Sequence, residues 1–483
     1  MQILFYIEPH PIRNSFISFF GAAAQFSRIL KQAAASQSSP VTYRIYANRK
    51  TIDELVAAIP EVKPFVLAST DAEERIFSAH MRDWMNGGIE EWCKLLVGEG
   101  EITTDYNAVI NRIYQRFKFD VIVHWGDNGA VKAFVDDFPC DRVAMELGCT
   151  RKPYINSIYF DPLGTNGSAL PAQIDLNDLQ VIVTEPGWPA GADLLAYSDT
   201  AETMAYETMF IRPSFPGIGR LHSRKSQPAV YIPLQLHDDA NLLIYSDFES
   251  PANVVDSIAT QFADHGFLCV IKPHPSALSR PGGKMAYEAA HKAAKKLRDR
   301  VIWLDLESPP VPNSQLYALT DAVATVNSSV GFEALYHDKV VAVVGKSVYK
   351  PSGLFPTIGE ICTSSFDEND YHRKTSILRR FFLTSYLVPE DQAFSQDSFL
   401  QRVTVIKALA EQAGSEPKRQ LQQLYNRFAP EVVEERLDSA MTGITSNANA
   451  ASRPWLDGPV SDANAATSID PEDRPSSRTQ PAK

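Results

Sequence analysis

The sequence predicts an α/β protein of two Rossmann-like domains that face a cleft. Short apolar runs, typical of buried parallel strands, alternate with segments whose apolar residues recur at helical spacing. This pattern occurs twice, on either side of a stretch rich in Pro, Gly, Ser and basic residues at 212–227, which we interpret as the linker. The 483 residues are enough for two domains of ordinary size.

The first domain, residues 1–225, begins with a strand-helix-strand unit. Apolar runs and helical spacing predict strands at 1–7, 41–47, 120–123 and 142–146, and a helix at 16–34. In doubly wound sheets, ligands bind in the loops at the carboxyl ends of the strands. Polar residues that follow these runs are therefore candidates for a site.

The second domain, residues 226–390, repeats the alternation. Apolar runs predict strands at 230–234, 267–272, 301–304, 322–326 and 340–344. Helical spacing predicts helices at 253–265, 285–298, 314–319, 330–336 and 375–386. A C-terminal helical extension is predicted over residues 391–440, from helical spacing at 397–427. The segment 441–483, rich in Ser, Asn, Ala, Pro and Asp, is predicted to be a disordered tail.

Composition excludes several classes of protein. The chain has 46 Lys and Arg against 58 Asp and Glu, a net charge of -12, which argues against general binding of nucleic acid. The five cysteines form no CxxC pair, which favours free thiols in a reducing compartment. The N-terminus has no basic leader, and no apolar run is long enough for a transmembrane helix, so we expect a cytoplasmic protein.

A cationic turn follows the predicted strand 267–272, in the sequence Lys272-Pro273-His274-Pro275. The His274 imidazole can donate a hydrogen bond to a phosphate oxygen, and Lys272 adds positive charge. The two prolines stiffen the turn. A surface histidine at a strand end is the alternative interpretation.

A second polar turn, Asn327-Ser328-Ser329, lies between a predicted strand and the helix 330–336. Serines at a helix start cap free N–H groups, and the same groups with the helix dipole form an anion site. Glu333 lies four residues beyond Ser329 on the same helix face, where it could bind a ribose diol. An ordinary N-cap with a surface Glu is the alternative, but the preceding cationic turn favours nucleotide binding.

In each domain, acidic residues lie at the end of one predicted strand, beside the expected cleft. Asp238 and Asp239 follow Gln235 in the second domain and could act as nucleophile, base or metal ligands. An N-cap is the alternative. Glu146 in the first domain precedes Arg151, and a carboxylate beside a cation suits proton transfer near an anionic sugar. A structural ion pair is the alternative there.

In their order along the chain, these motifs resemble the capsule polysaccharide biosynthesis family. The resemblance rests on KPHP, on NSSVGFEAL followed by DKVVAVVGKSVYKPSGL, on the Gln235-to-Asp239 segment, and on MELGCTRKP and FDPLGTNGS in the first domain. It covers residues 146–354. It implies the GT-B architecture of glycosyltransferases, and members of this family include retaining β-Kdo transferases that use CMP-Kdo. Val340 stands where the family usually has Pro.

The resemblance also implies roles for individual residues. Asp239 matches the carboxylate proposed as nucleophile in a double displacement, with the adjacent Asp238 as the alternative, and Glu146 matches the acid/base. His274 and Lys272 would contact the CMP phosphate. The donor-binding residues that it implies are Arg151, Gln235, Lys272, His274, Pro275, Asn327, Ser328, Ser329 and Glu333. No metal or cofactor is expected besides the CMP-activated sugar donor.

The implied acceptor is a glycan or a lipid-linked glycan, with peripheral association at the inner face of the cytoplasmic membrane. Two other functions remain open. One is a CDP-glycerol-type glycerophosphotransferase, which would use a histidine base and would not need Asp239. The other is a non-catalytic GT-B scaffold.

Overall fold

A computed structural model describes residues 1–36, 40–151, 154–183, 217–223, 227–306, 311–413 and 416–428. Half of the interpreted linker and the whole of the predicted tail lie outside these residues. Within the described part of the chain, no helix is long and apolar enough to cross a membrane.

The first domain is built on a largely parallel sheet. Its strands in chain order are β1 (Gln2–Tyr6), β2 (Thr42–Tyr46), β3 (Val121–Trp125), β4 (Asp141–Leu147) and β5 (Ser157–Asp161). The first four are parallel to their neighbours, and β5 is antiparallel to β4. Parallel strands with both faces covered are apolar throughout, which explains why β1 has four consecutive buried residues.

Helices cover both faces of this sheet. They are α1 (Phe20–Ala35), α2 (Arg49–Ala58), α3 (Asp71–Ala79), α4 (Ile89–Val97), α5 (Gly100–Arg116), α6 (Gly129–Asp137) and α7 (Leu176–Ile182). The apolar face of α1 packs on β1, where the rings of Phe5 and Phe26 stack with centroids 4.7 Å apart. The helical spacing of the apolar residues on this face is the pattern that predicted the helix from the sequence.

The second domain has a fully parallel sheet. Its strands are β6 (Ala229–Pro233), β7 (Leu268–Lys272), β8 (Val301–Trp303), β9 (Ala322–Thr325) and β10 (Val340–Val343), in the spatial order β10-β9-β6-β7-β8. Its helices are α8 (Ile218–Ser223), α9 (Ala240–Leu243), α10 (Pro251–Val254), α11 (Thr260–Asp264), α12 (Gly283–Lys295), α13 (Asn313–Leu319), α14 (Ser329–Tyr336) and α15 (Ile358–Thr363). The predicted α/β class with two parallel-stranded units is confirmed, and each strand predicted from an apolar run is present.

The chain then returns to the first domain. It forms α16 (Glu368–Phe381), β11 (Leu387–Pro389), α17 (Glu390–Ala393) and α18 (Gln396–Ala413), followed by a helix over residues 417–428. Strand β11 pairs antiparallel with β5, so the first sheet has the order β11-β5-β4-β3-β1-β2. The sequence analysis grouped residues 387–389 with the second domain, because a strand of three residues carries no pattern that identifies its partner.

We expect the carboxylate of Asp161, fully buried at the end of β5, to stabilise the first domain. It accepts hydrogen bonds from the backbone N–H groups of Leu163, Gly164 and Leu170 and from the hydroxyl of Tyr386. Asp161→Ala leaves all four donors without this acceptor, three of them in buried residues, and should lower the free energy of unfolding by about 3 kcal/mol or more, whereas Tyr386→Phe should cost about 1 kcal/mol. Urea unfolding followed by circular dichroism measures both, and equal losses would contradict this role.

Candidate functional site

The carboxyl-end loops of the two sheets meet across an interdomain cleft. The hydroxyl of Tyr245, in the second domain, donates to Asp127 Oδ2 at 2.6 Å in the first, and lies 2.8 Å from Ser168 Oγ. Tyr154 Oη lies 2.6 Å from Nε2 of His337. Polar side chains from both domains therefore line one space.

The Lys272 ammonium at the end of β7 is held inside the second domain. Its Nζ donates to the carbonyl oxygen of Val311 at 2.8 Å and to Oδ1 of Asn313 at 2.7 Å. Burial lowers the pKa of Lys272 to about 8, against the opposing effect of the Glu333 carboxylate. The residue supplies positive charge next to the carboxyl edge of the sheet.

The Ser328-Ser329 turn begins α14, as the sequence predicted. Ser328 is the N-cap, and its Oγ accepts from the N–H of Val330 at 3.3 Å. Glu333, one turn further on, is buried rather than on the surface, and its Oε2 accepts from the Tyr317 hydroxyl at 3.3 Å. Burial raises the pKa of Glu333 to about 7, while the Arg151 guanidinium acts to lower it.

His274 borders a small, partly open cavity in the second domain. The walls are mainly apolar and aromatic and include Leu236, Pro251, Ala286, Tyr287 and Trp303. The His274 Nδ1 accepts from the N–H of Ser276 at 3.1 Å, which leaves Nε2 as the ring donor. Pro275, the next residue, is exposed.

Gln235 and Asn327 connect the loops that surround the site. Gln235 Nε2 donates to Asn327 Oδ1 at 2.9 Å. Asn327 Nδ2 donates to the carbonyl oxygens of Asn241 at 2.7 Å and Lys346 at 3.1 Å. Both predicted donor-binding amides therefore hold the loops after β6, β9 and β10 in place.

The adjacent carboxylates Asp238 and Asp239 occupy different environments. Asp239 is half-buried and is the N-cap of α9, where its Oδ1 accepts from the N–H of Asn241 at 2.8 Å. Asp238 is fully buried, and its Oδ2 accepts from Arg13 Nε at 2.7 Å and from Trp84 Nε1 at 3.1 Å. Burial is the largest influence and acts to raise the pKa of Asp238, but the Arg13 charge and hydrogen bond, together with the charges of Arg280 and His237, hold the pKa below its usual range.

Glu146 lies at the end of β4, half-buried, with Oε1 accepting from the Leu147 N–H at 2.8 Å. Burial raises its pKa to about 7. Arg151 acts to lower this pKa, and the charges of Asp127 and Asp239 act to raise it further. The structure therefore brings Glu146, Arg151 and Asp239 within electrostatic range of one another, across the two domains.

Arg151 connects the two predicted halves of the site. Its guanidinium lowers the pKa of Glu146 in the first domain and of Glu333 in the second. It also donates to the carbonyl oxygens of Gly148 and Thr150, which fixes the loop after β4. The neighbouring Lys152 lies outside the described residues.

Sequence reasoning missed several polar residues at this cleft. The Asp127 carboxylate, in the loop after β3, accepts from the Tyr245 hydroxyl and from the Thr165 N–H at 2.7 Å. Burial raises the pKa of Asp127. Arg13 and Trp84 belong to no motif, and their contact with Asp238 spans 225 and 154 residues of sequence.

Comparison with known proteins supports the family resemblance. A family model described as capsule polysaccharide biosynthesis protein matches residues 193–359. The capsule polysaccharide export protein KpsS of Escherichia coli is 27% identical over 141 residues, which make up 28% of this chain and 34% of that protein. The capsule polysaccharide modification protein LipB of Neisseria meningitidis is 26% identical over 138 residues, or 28% of this chain and 32% of that one. The chain thus spans about a third of the length of these curated relatives, and the resemblance predicted from the motifs is confirmed.

Two solved structures that align with this chain are a beta Kdo transferase and a UDP co-structure. The Thermosulfurimonas dismutans KpsC beta Kdo 2,7 transferase aligns with a TM-score of 0.35 and 15% identity, over 61% of this chain and 90% of that one. The S. aureus MnaA-UDP structure aligns with a TM-score of 0.31 and 12% identity, over 83% and 98%.

We expect Arg151 to set the pKa values of both buried glutamates. In Arg151→Gln, the pKa of Glu146 and the pKa of Glu333 should both rise above those of the unchanged protein, because each carboxylate loses a neighbouring positive charge. NMR titration of carbon-13-labelled glutamate, assigned with Glu146→Gln and Glu333→Gln, measures both values. Arg49→Gln, which removes a cation from an exposed ion pair, is the control. Unchanged values in Arg151→Gln would contradict this arrangement.

Proposed function

We propose that this chain is a glycosyltransferase of surface or capsular polysaccharide biosynthesis that transfers Kdo, a sugar acid, from CMP-Kdo with retention. The observation that carries the proposal is that Glu146 and Asp239 lie in strand-end loops of opposite domains, which the Tyr245–Asp127 hydrogen bond joins, with the Asp239 charge within electrostatic range of Glu146. A helix N-terminus and a cationic turn adjoin them on the second-domain side. The family match over residues 193–359 supports the same class of reaction.

The donor side suits a nucleoside monophosphate. In this proposal, the N–H groups at the start of α14 and the His274 ring would donate hydrogen bonds to the phosphate, and Lys272 would add positive charge. Glu333 lies one turn into the same helix, and an ionised carboxylate there would accept two hydrogen bonds from a ribose diol. The Arg151 guanidinium is within electrostatic range of Glu146. In this proposal it is the cation that pairs with the carboxylate of the sugar.

Retention follows from two successive displacements at the anomeric carbon. The Asp239 carboxylate attacks this carbon, the bond to the CMP oxygen breaks, and a sugar ester of Asp239 forms. CMP leaves as an anion, which the helix N-terminus and His274 stabilise without a proton transfer. An acceptor hydroxyl then attacks the same carbon, gives its proton to Glu146 and releases the Asp239 carboxylate.

The environment of Glu146 matches this role as a base. A general base works best when its pKa lies near the working pH, and burial raises the pKa of Glu146 to about 7. The charge of Asp239 contributes to that rise and disappears when the sugar ester forms. Glu146 therefore becomes easier to ionise at the step in which it must accept a proton.

A donor panel tests the proposed substrate. The purified chain, incubated separately with CMP-Kdo, CMP-sialic acid, CDP-glycerol and UDP-sugars, should release nucleotide from CMP-Kdo, and calorimetry should detect CMP binding. Glu333→Gln should weaken CMP binding about tenfold, the effect of losing one charged hydrogen bond, while Glu360→Gln, an exposed residue outside the cleft, should not change it. Turnover of CDP-glycerol alone would instead indicate the glycerophosphotransferase. Binding of no nucleotide would indicate a scaffold.

A covalent intermediate tests the nucleophile. Incubation of Glu146→Gln with CMP-Kdo should accumulate protein with the added mass of one Kdo, because the second displacement loses its base. Peptide mapping should place the sugar on Asp239, and Asp239→Ala should abolish both the adduct and turnover. Asp264→Ala, on the far helix α11, is the matched control and should retain both. A sugar on Asp238, or full activity of Asp239→Ala, would contradict the assignment.

A further inference from the structure

The loop after β1 reaches across the cleft and binds the second domain. Arg13 Nε lies 2.7 Å from Asp238 Oδ2, and the Trp84 indole N–H donates to the same oxygen at 3.1 Å. The Asp238 side chain is fully buried, and that of Arg13 is 13% exposed. We refer to Arg13, Trp84 and Asp238 together as the latch.

The first-domain half of the latch is rigidly arranged. Arg13 and Asn14 both adopt the left-handed backbone region, with φ of 54° and 61°. The Asn14 side chain accepts from the Trp84 N–H at 2.8 Å and donates to Asp83 at 3.3 Å. The Arg13 guanidinium also lies over the Trp84 indole, 5.7 Å from its centroid. The loop and the Trp84 segment therefore present one preformed donor pair to Asp238.

Next to the latch, the backbone of Gly282 also packs closely against the side chain of Met85. Gly282, in the second domain, has a φ of +73°, and a Cβ atom there would come within 2.3 Å of Met85 Cε. Met85 follows Trp84 directly. The same stretch of the first domain thus meets the second domain at two points.

Asp238 is covalently joined to the residue that faces Glu146. Asp239 begins α9 immediately after the latch residue, and its charge reaches Glu146 in the opposite domain. Any separation of Arg13 from Asp238 would move this loop, and Asp239 with it, relative to β4. A buried ion pair adds little net stability compared with an apolar pair, so its best-attested use is to fix one arrangement.

We propose that Asp238 is a positioning residue, and that its latch to Arg13 and Trp84 holds Asp239 opposite Glu146 across the cleft. The roles of Asp239 and Glu146 in catalysis come from the proposed function. The geometric part, that the latch sets the distance between the two domains at this point, is independent of any substrate.

The charges around Glu146 provide a specific readout. Arg151, Asp127 and Tyr159 face Glu146 from the first domain and would stay with it, whereas Asp239 faces it from the second. Opening the latch therefore removes one negative neighbour and admits water. Both changes lower the pKa of Glu146 from about 7 toward its ordinary value.

The experiment compares Arg13→Ala with Arg49→Ala, which breaks an exposed Arg–Asp pair within the first domain. In Arg13→Ala, NMR titration should give a lower pKa for Glu146, and small-angle X-ray scattering should give a larger radius of gyration. If the chain turns over CMP-Kdo, kcat should fall on the order of 100-fold with a smaller change in KM for the donor, because the nucleotide part of the donor is held by the second domain. Arg49→Ala should leave all three values unchanged.

Two milder variants keep the test decisive if Arg13→Ala fails to fold. Trp84→Phe keeps the ring and removes only the indole donor, and Arg13→Lys keeps the charge. Trp84→Phe should lower the pKa of Glu146 less than Arg13→Ala, and Arg13→Lys should restore most of it. A destabilised but folded variant with an unchanged Glu146 pKa and radius of gyration would overturn the proposal. If the protein were inactive with every donor, the proposed function would be refuted. The scattering and NMR results would still test whether the latch sets the distance between the two domains.

Discussion

Parallel strand direction is the constraint on which the rest of this structure depends. When neighbouring strands run the same way, their carboxyl ends share one edge, and the polar loops that follow them must gather there. All strands of the second sheet run in the same direction, and so do β1 to β4 of the first sheet. Residues far apart in sequence, such as Gln235 after β6 and Asn327 after β9, are brought together for this reason.

Burial at that cleft gives the gathered groups their chemistry. Glu146 and Glu333 each have a pKa raised to about 7 because desolvation disfavours the charged form. Lys272 shows the opposite effect, with a pKa lowered to about 8 by the same cause. Arg151 limits the rise at both glutamates, so each can change its protonation state near neutral pH.

The sequence predicted the sheet strands well, because parallel strands covered on both faces are short, unbroken apolar runs. It also placed Ser328 at a helix start and Glu333 on that helix, since caps and helical spacing are local signals. It missed β5 and β11, which form the antiparallel edge of the first sheet, and it could not assign β11 to that sheet. Strand partners and edge positions depend on contacts between distant segments, which a local pattern does not encode.

The same limit explains why Asp238 and Asp239 were indistinguishable in sequence. Two adjacent carboxylates at a strand end carry the same local signal, and only their partners separate them. Asp238 is matched by a guanidinium and an indole from the other domain, which satisfies one oxygen and keeps the group charged while fully buried. A carboxylate bound in this way is a poor nucleophile, because attack would require a buried ion pair to break. Asp239 accepts one backbone hydrogen bond and remains half-buried, which is the environment that its proposed role as nucleophile requires.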